Sequence, residues 1–278
     1  MVITETDVRR FAAHLVSEER SAGTIEKYLR DVRAFAAWLD GRELLRETAS
    51  GWREHLTEGG YAPVTVNSML SAVNRFLFFL GRTDCRIRFL RLQRRIFRDQ
   101  SRELTRQEYQ RLLDAAWERG QERLGLVMET ICSTGIRVSE VRYITIEAAQ
   151  TGRADVSLKG KIRTVFLPAK LCRKLLKYAG KKKIASGEVF LTGSGKSLSR
   201  RQIWREMKAL SKEAGVVGSK IFPHNLRHLF ARAFYKASRD IVKLADVLGH
   251  TSINTTRIYL ITTGAEYARQ LEKLGLVT

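Results

Sequence analysis

The chain has 278 residues, with 50 Lys+Arg against 29 Asp+Glu, a net charge of +21 and an isoelectric point of about 10.3. Such a balance calls for a polyanionic partner, while 44% hydrophobic and 9% aromatic residues exclude a disordered basic tail. No run approaches the ~20 apolar residues of a membrane span, the mixed-charge start MVITETDVRR is unlike a signal peptide, and Cys85, Cys132 and Cys172 lie too far apart for a metal knuckle or redox pair; a cytoplasmic location is expected.

Residues 1–90 read as a small helical bundle. Apolar residues recur at helical steps through Val8, Phe11 and Leu15, then Ile25, Leu29, Val32, Phe35 and Leu39, and after the Gly59-Gly60-Tyr-Ala-Pro63 breaker through Met69, Val73, Phe76, Leu77 and Leu80. Thr24 is the expected cap of the second helix. The stripes are core; the outer faces, with Lys27, Arg30 and Arg75, are candidates for phosphate contact.

Residues 91–104 form an arginine-rich linker, ended by the Thr105-Arg-Gln-Glu108 capping box that opens a new helix. Of the net charge, +4 lies in residues 1–100 and +17 after them. Residues 105–278 therefore carry most of the demand for an anion.

That second part starts with helices through Leu112, Leu113, Leu126, Val127 and Ile131. The period changes at Ala154-Asp-Val-Ser-Leu158 and Thr164-Val-Phe-Leu167, two short strands around the Lys159-Gly160-Lys161 turn. Helices then resume, including a Ser199-capped one with Arg200, Arg201, Gln202 and Arg205. The expected class is mainly α with a small antiparallel β-sheet in the second domain. The Ser199 helix is the candidate for reading bases, since Arg pairs with guanine and Gln with adenine.

Three of the five histidines, His224, His228 and His250, fall in the last quarter of the chain. Phe222-Pro-His-Asn-Leu-Arg-His228 sets His224, Arg227 and His228 on one helical face at i, i+3 and i+4, with Pro223 suited to the first turn. A helix start beside Arg and His is a natural phosphate seat. Upstream, Gly-Ile-Arg137-Val-Ser-Glu140 places a carboxylate at i+3 to orient the guanidinium; downstream, Leu-Gly-His250 is followed nine residues later by Tyr259. Alone, each has a plainer reading: a surface ion pair for Arg137, a core aromatic for Tyr259, and for His224 and His228 a zinc pair, which Asn225 disfavours because it stands where HExxH proteins need glutamate.

Taken in order, Arg137, the Lys159 hairpin, His224-x-x-Arg227, Leu-Gly-His250 and Tyr259 resemble the tyrosine recombinase (phage integrase) family over the whole second domain, and the bundle resembles its SAM-like core-binding domain. The likeness is to the simple two-domain, Xer-like members, with departures at Phe230 and Leu260. It implies a two-domain DNA clamp and a site-specific recombinase acting through a 3′-phosphotyrosyl intermediate and a Holliday junction. It further implies a homotetramer on two DNA duplexes, joined by a C-terminal helix with Tyr267, Leu271 and Leu274 on its apolar stripe, and no metal or cofactor. A type IB topoisomerase-like enzyme and a non-catalytic DNA-binding relative are the other readings.

By the same resemblance Tyr259 is the nucleophile, Arg137 and Arg227 bind the scissile phosphate, and His224 takes the phenolic proton. His250 donates to a non-bridging oxygen and Lys159 protonates the leaving 5′-oxygen, with Lys161 as the other amine within reach of that role; His228 braces the site. The chemistry is coherent. Arginine forks answer phosphate charge at any working pH, and a phenol of pKa near 10, about a thousandth ionised at neutrality, needs neighbouring positive charge and a base.

Overall fold

The computed structural model describes residues 1–92, 100–158, 161–259, 269 and 272–275. The chain divides into two units, Met1–Arg94 and Arg95–Thr278.

In the first unit, α1 (Glu5–Ser17), α2 (Ala22–Leu39), α3 (Arg46–Glu58) and α4 (Pro63–Phe79) pack around the stripes expected from the sequence, with Phe11, Leu15, Phe35, Leu70, Val73 and Phe76 fully buried. Thr4 and Asp7 form a capping box at α1, and Pro63 opens α4. The second helix differs from expectation: it begins at Ala22 with Ser21 as N-cap, and Thr24 lies inside its first turn, its hydroxyl 2.8 Å from that of Ser21. Ser21 takes the N-cap position in extended backbone, but its hydroxyl meets that of Thr24 and makes no capping bond to the helix N–H groups.

The second unit contains α5 (Arg106–Glu118), α6 (Glu122–Thr134), a 3₁₀ turn at Val138–Tyr143 and α7 (Ile146–Thr151). The strands β1 (Arg153–Leu158) and β2 (Lys161–Phe166) follow, then α8 (Ala169–Lys182), α9 (Arg200–Ala209), α10 (Pro223–Ser238), α11 (Ile241–Leu248) and α12 (Ile253–Arg257). Thr105 and Ser199 cap α5 and α9 as read from the sequence. The strands pair antiparallel, Arg153 opposite Phe166 and Val156 opposite Arg163, so Ala154, Val156 and Val165 face the core. Among the described residues this is the one sheet.

Helix α6 lies at the centre, with Val127, Met128 and Ile131 buried, and ends at Gly135 in the left-handed region at φ +69°. A Cβ there would stand 2.4 Å from the Phe230 ring of α10, so close approach as well as φ demands glycine. This contact sets the Arg137 turn against the helix that carries Arg227. Lys159 and most of the expected C-terminal helix, including Tyr267 and Leu271, lie outside the described residues; Leu274 is exposed. No helix among the described residues is long and apolar enough to cross a membrane.

Candidate active site

Arg137 sits at the N-terminal edge of the 3₁₀ turn that follows Gly135. Glu140, buried in that turn, holds it twice: the Arg137 backbone N–H donates to Oε2 at 2.7 Å and the guanidinium Nη1 to Oε1 at 3.0 Å. A third donor comes from β2, where Arg163 Nη2 reaches Oε2 at 2.7 Å. Burial raises the Glu140 pKa, but the backbone N–H of Arg137 and the two guanidinium groups outweigh it, and the carboxylate ends below its ordinary value. Arg163 also donates to Val247 O at 2.5 Å, joining the hairpin to the end of α11.

Arg227 projects from the second turn of α10 and is 1% exposed. Its Nη1 donates to Gly135 O at 2.6 Å, and its Nη2 to Leu248 O at 2.8 Å and His250 Nε2 at 2.9 Å. Its Nε is buried, with no hydrogen-bond partner among the described residues. Burial and the nearby Arg137 charge lower its pKa, a direction that leaves a guanidinium cationic.

His250 follows the left-handed Gly249 that closes α11. Arginine only donates, so Nε2 is the acceptor from Arg227 and the ring proton is on Nδ1, which donates to the buried Thr256 Oγ1 at 2.9 Å. Burial, with Arg227, Arg137, Arg163 and His224 around it, pushes the His250 pKa down to about 4. The imidazole is neutral at pH 7.

Tyr259 lies just beyond α12, 3% exposed. Its ring stacks on His250 at 5.8 Å, meets His228 edge-on at 4.7 Å and lies 6.5 Å from His224. The phenol also lies against the Arg227 guanidinium. Arg137, His224, Arg227, His250 and Tyr259 are thus gathered in one place, with His228 at the tyrosine ring and 4.6 Å from His224. Asn225, the residue at the glutamate position of a zinc helix, is buried and donates to Arg102 O and Lys220 O at 2.8 and 2.7 Å, a tie that fixes the start of α10.

Two participants escaped the sequence reading. Thr256 carries no mark except its place three residues before Tyr259. Arg163 had a signal: in β2 it shares the inward face with Val165, and an arginine on the core side of a strand needs a buried partner.

The expected DNA contacts are dispersed. In the first unit Lys27 donates to Asp31 at 2.7 Å and to Ser68 O at 3.0 Å, Arg30 grips the other Asp31 oxygen through two nitrogens, and Arg75 is paired with Glu18. On α9, Arg200, Arg201 and Arg205 are exposed with no ion pair among the described residues, while Gln202 donates to Glu206 at 2.9 Å.

The profile of the Phage integrase family matches residues 102–265, and that of the phage integrase N-terminal SAM-like domain matches residues 8–84. The chain belongs to the phage integrase family. It is a tyrosine recombinase, similar along its length to named Xer proteins. Tyrosine recombinase XerC of Roseiflexus castenholzii is 31% identical, covering 91% of this chain and 87% of its own. Tyrosine recombinase XerA of Thermococcus kodakarensis is 27% identical over 97% and 95%. The fold is similar to that of the chain in a lambda integrase tetramer bound to a Holliday junction, with a TM-score of 0.72 at 18% identity over 92% of this chain and 76% of that one. The departures at Phe230 and Leu260 therefore sit within an Xer-like chain, and Phe230 has the particular task of packing on Gly135.

Proposed function

We propose that this tyrosine recombinase cleaves and rejoins duplex DNA at specific sites, with Tyr259 as nucleophile. The observation that carries the reading is the setting of Tyr259: its ring is enclosed by His224, His228 and His250 and lies on Arg227, whose buried Nε has no partner among the described residues. A buried donor left unpaired beside a nucleophile is suited to an anionic ligand.

In this mechanism Arg137 and Arg227 bind the non-bridging oxygens of the scissile phosphate. Tyr259 Oη attacks phosphorus as its proton passes to His224, and the bond to the 5′-oxygen breaks. The leaving oxygen takes a proton from Lys159, giving a 3′-phosphotyrosyl ester and a 5′-hydroxyl. Attack by a 5′-hydroxyl from another strand reverses the steps and returns the phenol. The phosphate's negative charge opposes the guanidinium field and raises the proton affinity of His250; Nε2 then takes a proton from solvent, gives up its bond from Arg227, whose Nη2 keeps Leu248 O, and donates to a non-bridging oxygen.

Lys27, Arg30, Arg75, Arg200, Arg201, Gln202 and Arg205 belong to the proposed DNA-contacting set. The lambda integrase neighbour, a tetramer bound to a Holliday junction, supports the same assembly here; we take it as four copies of this chain on two duplexes, joined through the C-terminal segment and acting on DNA in the cytoplasm. We divide the chain functionally at residues 1–90, 91–104 and 105–278.

A nicked suicide duplex carrying the recombination site tests the reading. The expected result is a covalent adduct mapped to Tyr259 and absent in Tyr259→Phe, with strand exchange requiring two sites. Relaxation of supercoiled DNA by a monomer without such sites would favour the topoisomerase reading, and an adduct elsewhere would remove this one.

A further inference from the structure

The first unit holds a basic segment that the site above does not use. After α4 the chain turns back and runs in extended form from Arg86 to Leu92, outside any strand. Two asparagines of α4 hold it. Asn74 donates from Nδ2 to Ile87 O at 2.9 Å and accepts from Ile87 N–H at 2.8 Å; Asn67 does the same with Leu90, at 2.9 and 2.8 Å. The spacings match: seven residues of helix rise about 10.5 Å, and three residues of polyproline-like chain cover roughly 9 Å in one turn, which returns the same backbone edge to the helix. The segment is therefore pinned antiparallel to the helix at two residues three apart, as a threefold extended chain and not as a strand.

The pinning sorts the side chains. Ile87 is buried and Leu90 partly so, while Arg86, Arg88 and Arg91 are exposed. None of these three makes an ion pair among the described residues, unlike Lys27, Arg30 and Arg75, which face Asp31 or Glu18. Arg86 also lines a cleft of about 520 Å³ with Ser71, Tyr28, Phe78 and Phe89, where a cation and a hydroxyl stand beside exposed rings. Such a surface suits a sugar-phosphate backbone, whose phosphates take the charge and whose sugars lie on the rings.

We propose that Arg86, Arg88 and Arg91 form a phosphate-binding ridge for the DNA backbone, and that Asn67 and Asn74 are positioning residues that hold it in register. The proposal rests on the recombinase reading for its ligand and adds the first unit's unneutralised contacts to it.

The test uses the full chain and a short labelled duplex, measuring affinity across a salt series. Removing three phosphate contacts in R86A/R88A/R91A lowers the slope of log affinity against log salt by about 2.7, at about 0.9 per contact. N67A/N74A, which keeps every charge, also loses slope, and the Ile87 and Leu90 amides exchange faster with solvent. If the double variant does not fold, Asn67→Ala alone carries this arm, with exchange read at Leu90. An unchanged slope in the arginine variant overturns the ridge; loss there with none in the asparagine variants overturns the positioning role. Absence of salt-dependent duplex binding in the wild type would instead remove the recombinase reading itself.

Discussion

His250 and Tyr259 lie with their rings nearly parallel, planes 13° apart and centroids 5.8 Å apart. The histidine is set in that plane by a bond at each nitrogen, from Arg227 on one side and to Thr256 on the other. Thr256→Val keeps the shape and removes the acceptor for Nδ1–H. We expect a loss of about 1–3 kcal/mol in stability from the stranded donor and a slower cleavage step, with DNA affinity little changed. Chemical denaturation together with single-turnover cleavage checks both, and equal cleavage rates would show that Thr256 does not orient the ring.

The depressed proton affinity of His250 predicts a pH dependence. An unfolded histidine titrates near 6.5, whereas burial and the surrounding guanidinium groups push this one down to about 4 in the folded protein. Between those values the unfolded chain binds a proton that the folded chain refuses, so the group's contribution is complete above about pH 6.5 and is lost as pH falls toward 4. The melting temperature of the DNA-free protein is expected to fall across that window, and less steeply in His250→Asn. Identical slopes would mean that His250 is not held neutral.

Arg163 and Glu140 offer a double-mutant cycle. Arg163→Met takes one of three donors from a buried carboxylate, and breaking a buried pair costs about 3–5 kcal/mol. Glu140→Gln in the same chain lifts part of that cost because no charge is then left behind. Urea unfolding of the four proteins is expected to show coupling above about 0.5 kcal/mol; simple additivity would deny the link from the hairpin to Arg137.

Gly135→Ala combines a positive φ with a Cβ 2.4 Å from the Phe230 ring. The expected destabilisation is at least about 1–3 kcal/mol, the usual range for overpacking, with displacement of Arg227, whose Nη1 bonds the Gly135 carbonyl. Phe230→Leu on the same background relieves the contact but not the backbone strain. Thermal unfolding should therefore show partial rescue, and full rescue would put the whole cost in packing.

The helices and their caps were legible wherever the signal is local. Thr105, Ser199 and Pro223 each name a helix start, and the stripes from Val8 to Leu39 are core because their period fits one face. The grouping of Arg137, His224, Arg227, His250 and Tyr259 was legible only through spacing shared with a family, since residues 137 and 259 meet by folding alone. What stayed hidden was partnership. Lys27 and Arg30 read as free cations until Asp31 is found beside them, and Asn67 as a plain helix residue until the chain returns across it. Charge can be counted from a sequence, but whether a given charge is already answered depends on neighbours brought in by tertiary structure.

Arg137, Arg163 and Arg227 all act on His250, and the carboxylate tied to this group is that of Glu140. The site thus works against itself: guanidinium groups crowd together and hold an imidazole from its proton. An anion seated among those guanidinium groups would ease that crowding, and its binding would add to the stability of the unit that carries Tyr259.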